Sequence, residues 1–220
     1  MIKVYYAYTS LLENIDLSIL RRKLASGVLL KLDRLKKESD RSLQLLSWYL
    51  LSYVLTDNGS DQTIDQVRFT PEGRPFFPDA RIDARPDSGF DFNISHSGNC
   101  TAIIYSADCR VGIDIESIAE INFSDFESVF TPEIIGKIYS SNEPLISFYS
   151  YWTLLESALK ADGAGLPLIS AHIPEIQEDC VVINTKKWYY RHLGINPAIS
   201  CCIASDKAID EIVCREVKLS

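Results

Sequence analysis

The sequence holds no apolar run long enough to cross a bilayer. Its greasiest stretch, about Leu43 to Leu55, is interrupted by Gln44, Ser47 and Ser52. The opening residues, MIKVYYAYTS, lack the apolar core and small-residue cleavage site of a secretory signal, so a cytoplasmic address is expected. The six cysteines (Cys100, Cys109, Cys180, Cys201, Cys202, Cys214) form no CxxC pair and no zinc spacing. Five of them sit in or beside strand-like apolar stretches, which predicts buried free thiols. An excess of positive charge is also missing. The net charge of −8 argues against a general nucleic-acid binder. Neither an internal repeat nor a low-complexity segment is visible. What remains is an ordinary globular composition, 46% hydrophobic and 24% charged over 220 residues, enough for one core or two small joined ones. A monomer with no nucleic-acid and no membrane partner is expected.

Charge is unevenly spread. Arg21, Arg22, Lys23, Lys31, Arg34, Lys36, Lys37 and Arg41 face only Asp33, Glu38 and Asp40 over residues 21–41. A solvated helix face and a patch for a polyanionic ligand explain this equally well. Alternation predicts a strand over 1–8, and a helical period runs from about Lys31 to Leu55, stopped by Asp57-Asn58-Gly59. Prolines and glycines make 70–90 a loop region, with Pro71, Gly73, Pro75, Pro78, Pro86 and Gly89. Strands are expected at Phe92–Ser95, Thr101–Ser106 and Arg110–Glu116, then helices at 132–139 and Ile146–Ala161, the second capped by Gly163. Further strands follow at Cys180–Asn184, Trp188–Arg191 and Ile199–Ala204. The fold class is α+β.

Three short runs carry chemistry. In Val111-Gly112-Ile113-Asp114-Ile115-Glu116, strand alternation projects Asp114 and Glu116 together and sends Ile113 and Ile115 to the core. Two neighbouring carboxylates repel unless a cation compensates, and hard oxygens suit Mg²⁺. Two exposed acids at a strand end explain the pair as well. In Trp152-Thr153-Leu154-Leu155-Glu156-Ser157-Ala158-Leu159-Lys160, Glu156 and Lys160 share a helix face, either as a surface ion pair or as metal ligand and phosphate neutraliser. In Phe92-Asn93-Ile94-Ser95-His96-Ser97-Gly98, a histidine and hydroxyls at the end of a strand suit a phosphate-binding turn. A serine hydrolase would need a GxSxG elbow, which does not accompany them. His172 and His192 read as structural.

FNISHS, then GIDIE, then W-T-x-x-E-S-x-x-K-A-x-G-x-G-L resembles the surfactin-type phosphopantetheinyl transferases in order and spacing, over about residues 92–166. The Arg41-Ser42-Leu43 helix and the Glu72-Gly73-Arg74-Pro75 turn resemble that family more loosely. The resemblance implies two similar α+β halves, 1–107 and 108–220, in pseudo-twofold arrangement with coenzyme A in the cleft between them. It implies Mg²⁺ held by Asp114, Glu116 and Glu156, with Lys160 on the phosphate and assisting departure of 3′,5′-ADP. It places Ser95 and His96 on the nucleotide's phosphates, Arg41 on the 3′-phosphate, and Arg74 and Pro75 beside the adenine.

The implied activity moves the 4′-phosphopantetheine of coenzyme A onto a serine of an acyl- or peptidyl-carrier protein. Glu156, or a water held by the cation, would accept the serine proton. One departure stands out: Leu155 occupies the place where the family has lysine. The stripe Trp152, Leu155, Leu159 predicts core packing there. Rival readings of the same residues are a Mg²⁺-dependent nucleotide phosphohydrolase and a coenzyme A-binding module without transfer. A carrier-docking patch is sought around 121–150, among Phe123, Phe126, Phe130, Tyr139, Phe148 and Tyr149, which core packing also explains.

Overall fold

The computed structural model describes residues 1–80, 89–126, 129–163 and 174–218. In chain order these form β1 (Ile2–Tyr8), α1 (Leu17–Arg22), α2 (Ser26–Arg34), α3 (Glu38–Asp57), β2 (Arg68–Phe69), β3 (Pro75–Phe76), β4 (Asp91–Ser97), β5 (Cys100–Ser106) and β6 (Val111–Ser117). There follow α4 (Pro132–Ser140), α5 (Pro144–Asp162), β7 (Glu175–Ile176), β8 (Cys180–Ile183), β9 (Lys186–His192), β10 (Ile199–Ser205) and β11 (Ile212–Glu216). The class is α+β, as the alternation of periods predicts. Chain contacts divide it into two compact units, Met1–Arg110 with Asp210–Ser220, and Val111–Ile209. No helix among the described residues is long and apolar enough to cross a membrane.

The first unit is built on a four-stranded sheet in the order β11-β1-β5-β4. β4 and β5 are an antiparallel hairpin turned at Gly98, whose φ of 61° suits a residue without a side chain. β1 pairs antiparallel with β5 and parallel with β11. The last strand therefore belongs with the first half, although the sequence reading grouped residues 108–220 together. Its alternation is too weak to choose a partner sheet, because Val213, Cys214 and Arg215 are all exposed. The long helix α3 buries Leu46, Leu50, Leu51 and Val54 against Tyr5, Phe92 and Ile103 of the sheet.

Leu35 to Lys37 interrupt the single helix expected from Lys31 onward. Leu35 and Lys37 are extended (ψ 123° and 134°), and a new helix starts at Glu38. Glu38 and Asp40 in its first turn favour that restart, since acidic groups are stabilised near a helix N-terminus.

The second unit has one antiparallel sheet, β6-β10-β9-β8-β7, with α5 laid across it. Thr131 caps α4, its hydroxyl accepting from Ile134 N at 3.4 Å, and Pro132 follows in the first turn. Gly163 ends α5 in the left-handed region, φ 85°, as expected. The core joins Leu154, Leu155, Ala158 and Leu159 of α5 to Val181, Trp188 and Cys202 of the sheet. Five cysteines are buried and Cys214 is exposed; all six are free.

Candidate active site

The chemistry-bearing residues of the second unit meet where α5 crosses β6. Asp114 and Glu116 do share a face with Gly112, but that face is not turned away from the protein. It carries α5, and Asp114 is only 2% exposed, while Ile113 and Ile115 are buried on the opposite face. The sequence reading sent only the isoleucines inward. What it lacked was the part played by Gly112, because an ideal Cβ there would lie 2.1 Å from Ser157 O and 2.5 Å from Ala161 N. The absent side chain lets the helix backbone settle on the strand. Ser157 and Ala161 thereby bring their neighbours Glu156 and Lys160 to the carboxylates.

The helix is also fixed in its rotation. Thr153 Oγ1 and Ser200 Oγ lie 3.0 Å apart, and Ser200, which faces Glu116 across the β10–β6 pairing, donates to Tyr149 O at 3.1 Å. Lys160 Nζ donates to Asp114 Oδ1 at 2.6 Å. Burial pushes the Glu156 carboxyl up to about 7, with Asp114 and Glu116 adding to the rise and Lys160 opposing it. Glu156 Oε1 is buried without a hydrogen-bond partner. Leu155 points into the core and is 2% exposed, as its stripe predicts.

In the first unit, His96 lies in β4 rather than in a turn, because the strand runs on to Ser97 and His96 pairs with Thr101. Alternation separates the two residues read together as one phosphate grip. Ser95 is buried and faces away, while Ile94 and His96 line a cavity of about 400 Å³. Pro75 lines it too, with Lys31, Leu32, Gln44 and Trp48. Arg74 is engaged elsewhere: its Nη2 donates to Asp91 Oδ2 at 2.6 Å and to Phe92 O at 3.4 Å. Arg41 is exposed in the first turn of α3. His192 is exposed on β9, its ring edge-on to Tyr190. Gly165 and Leu166 of the motif, Pro86 and His172 lie outside the described residues.

Residues 110–202 match the 4′-phosphopantetheinyl transferase superfamily, a span that takes in Asp114, Glu116, Glu156 and Lys160. Over this segment the chain is similar to that superfamily. Among relatives, it is 36% identical over 141 residues to a Haemophilus influenzae protein provisionally named a 4′-phosphopantetheinyl transferase, covering 60% of this chain and 57% of that one. It is 27% identical over 170 residues to the 4′-phosphopantetheinyl transferase ffp of Bacillus subtilis, covering 69% and 72%. A third, the L-aminoadipate-semialdehyde dehydrogenase-phosphopantetheinyl transferase of Schizosaccharomyces pombe, is 33% identical over 115 residues, covering 46% and 43%. The chain spans about half the length of the first relatives it matches.

The superfamily segment offers hard oxygen donors for a divalent cation. Among the described residues, no three His, Cys, Asp or Glu side chains are grouped so as to hold a metal ion. Magnesium rarely asks for three, since it is commonly held by one or two carboxylates with phosphate and water completing the shell. The raised Glu156, with one buried oxygen lacking a partner beside two further acids, fits a site that a cation would stabilise. Sequence reasoning missed Gly112, Thr153 and Ser200, which place the helix, and Gln44, which lines the first unit's cavity together with Lys31 of the basic stretch. Of these, Gly112 gave a signal: a glycine inside a strand marks close approach by another backbone.

Proposed function

We propose that this chain transfers the 4′-phosphopantetheine arm of coenzyme A to a serine hydroxyl of an acyl- or peptidyl-carrier protein, in a Mg²⁺-dependent reaction. The observation that carries the reading is the meeting of Asp114, Glu156 and Lys160 at the β6–α5 crossing, within the superfamily segment. Asp114, Glu116 and Glu156 would hold the cation, which supplies charge neutralisation for the pyrophosphate. Glu156 accepts the proton of the incoming serine hydroxyl. The serine oxygen bonds to the phosphorus that bears the pantetheine, and the bond from that phosphorus to the 3′,5′-ADP oxygen breaks. Lys160, steadied by Asp114, offsets the negative charge gathering on the departing phosphate.

In this reading His96 and Arg41 contact the nucleotide's phosphates and Pro75 lies beside the adenine. Arg74 and Ser95 have a supporting part: the one ties the turn to Asp91, the other is buried behind the strand. For the carrier, the segment 121–150 offers less than its aromatic count suggests. Phe130, Phe148 and Tyr149 are core, whereas Tyr139 on α4 is 52% exposed and Ile146 on α5 is exposed beside it in sequence. Leu155 lends no weight to a binding-only module, because it packs inward.

The test is incubation with coenzyme A, Mg²⁺ and several unrelated apo-carriers, followed by mass spectrometry. One phosphopantetheine per carrier and an equal amount of 3′,5′-ADP are expected. Nucleotide release that continues with a serine-to-alanine carrier would indicate phosphohydrolysis instead, and binding without any mass gain a module that does not transfer.

A further inference from the structure

Gln44 and His96 come from different elements and meet at the mouth of the first unit's cavity. Gln44 Nε2 lies 3.2 Å from His96 Nε2. Gln44 sits on α3 between Leu43 and Leu45, both buried, and one residue further on Leu46 is fully buried. Its backbone is therefore held by the core rather than by a mobile loop. His96 is on β4, paired with Thr101 of β5 and followed by the hairpin turn. An amide is an unusual partner for an imidazole in one respect: it holds a donor and an acceptor on the same carbon. Its N–H₂ donates to the bare nitrogen of a neutral ring, and, turned over, its carbonyl accepts from a protonated one. A carboxylate would favour only the charged ring, and an apolar side chain would hold neither form.

We propose that Gln44 is the positioning residue for His96, gripping its Nε2 in either charge state so that the ring keeps one orientation toward the nucleotide's phosphate. The proposal rests on the reading that His96 contacts the coenzyme. As placed, the Gln44 amide donates to Nε2, so the neutral ring carries its own proton on Nδ1. Lys31 is the one fully charged side chain among the described residues lining this cavity, and its Nζ stands over the Phe69 ring at 4.6 Å.

The experiment compares Gln44→Leu, Gln44→Glu and His96→Ala with the parent, reading KM for coenzyme A and kcat across pH, together with the ¹⁵N resonances of the His96 ring. Gln44→Leu should raise KM by about tenfold, the worth of one hydrogen bond, and leave kcat within a factor of two or so. Gln44→Glu should move the His96 titration, and the alkaline limb of the KM profile with it, to higher pH. A purely structural side chain would move neither. In the parent, ring ¹⁵N shifts should report the Nδ1–H form at high pH, a reading that needs no variant. If His96→Ala raises KM while both Gln44 variants keep the parent's KM, pH limb and ring shifts, the positioning role is overturned and the coenzyme reading stands. If His96→Ala itself leaves KM unchanged, the coenzyme contact fails, and the ring shifts of Gln44→Glu alone then decide whether Gln44 controls the histidine.

Discussion

Lys160 Nζ donates to Asp114 Oδ1 at 2.6 Å, joining helix α5 to strand β6 through a carboxylate whose side chain is 3% exposed against 29% for the lysine. Removing the ammonium leaves a buried charge short of its cation, and that cost exceeds what the pair gains over an apolar replacement. Lys160→Met should lower stability by about 2–3 kcal/mol in urea unfolding, and Asp114→Asn added to it should recover part of the loss. Lys160→Met, and Asp114→Asn made on its own, should each transfer at about a hundredth of the parent rate or less.

Gly112→Ala tests how the crossing is assembled. The new methyl would meet backbone atoms of Ser157 and Ala161, which cannot swing aside as a side-chain tip can. Overpacking of this kind should cost about 3 kcal/mol. The surviving folded fraction should bind coenzyme A more weakly and transfer slowly, because Glu156 and Lys160 ride on the displaced helix. Thermal unfolding and single-turnover rates on the same sample separate the two effects.

Burial and neighbouring acids raise the Glu156 carboxyl from an ordinary 4.5 to about 7. The folded protein then holds this proton more tightly than the unfolded chain does. The associated stability is complete below about pH 4.5 and drains away as pH climbs through 7. Metal-free protein should lose on the order of 2–3 kcal/mol across that window, relative to Glu156→Gln, whose profile should be flat there. Denaturant midpoints at closely spaced pH values check this. Added Mg²⁺ at pH 8 should restore the parent and stabilise the variant less.

Leu155→Lys puts an ammonium into the second unit's core, beside Ala158 and Leu159. A loss of about 3 kcal/mol or more is expected. A variant as stable as the parent would mean that the side chain reaches solvent and that the position is open to a cation.

Arg41 and Arg74 should behave differently although both were read as nucleotide contacts. Arg41→Ala should raise KM for coenzyme A several-fold, by the loss of a charge-assisted contact, and have little effect with dephospho-coenzyme A as donor. Arg74→Ala removes the largely buried ion pair with Asp91 and should act on stability first, by about 2 kcal/mol, with both donors affected alike. Kinetics with the two donors, set beside unfolding curves, distinguish them.

Much of this was legible in the sequence because short-range rules governed it. Alternation put Asp114 and Glu116 on one face, a helical period put Glu156 and Lys160 on another, and Gly163 closed the helix. What was not legible depended on contacts distant in sequence. Nothing local says that the acid face of β6 receives α5, that Arg74 turns to Asp91, or that Gln44 reaches His96. That the Ser95 and His96 side chains face opposite ways had a local reason: the strand runs two residues past its expected end, and adjacent strand residues alternate. The break at Leu35 to Lys37 escaped because no Pro or Gly marks it, and the polar run 36–42 reads equally well as the solvent side of one continuous helix.

The parallel pairing of β11 with β1 has a consequence for the order of events on the ribosome. The second unit is encoded without interruption, from Val111 to Ile209, and can reach its full set of contacts as soon as that stretch has emerged. The first unit is encoded in two pieces. β1 finds β5 early, but its other side keeps unpaired amide and carbonyl groups until residues 212–216 emerge, after the whole of the second unit. Only then do Arg215 reach Asp57 and Val217 N reach Tyr6 O. The unit that contains β1 is thus completed only after the unit encoded within it, and until then its exposed β1 edge is a place where a stray strand from another chain can add.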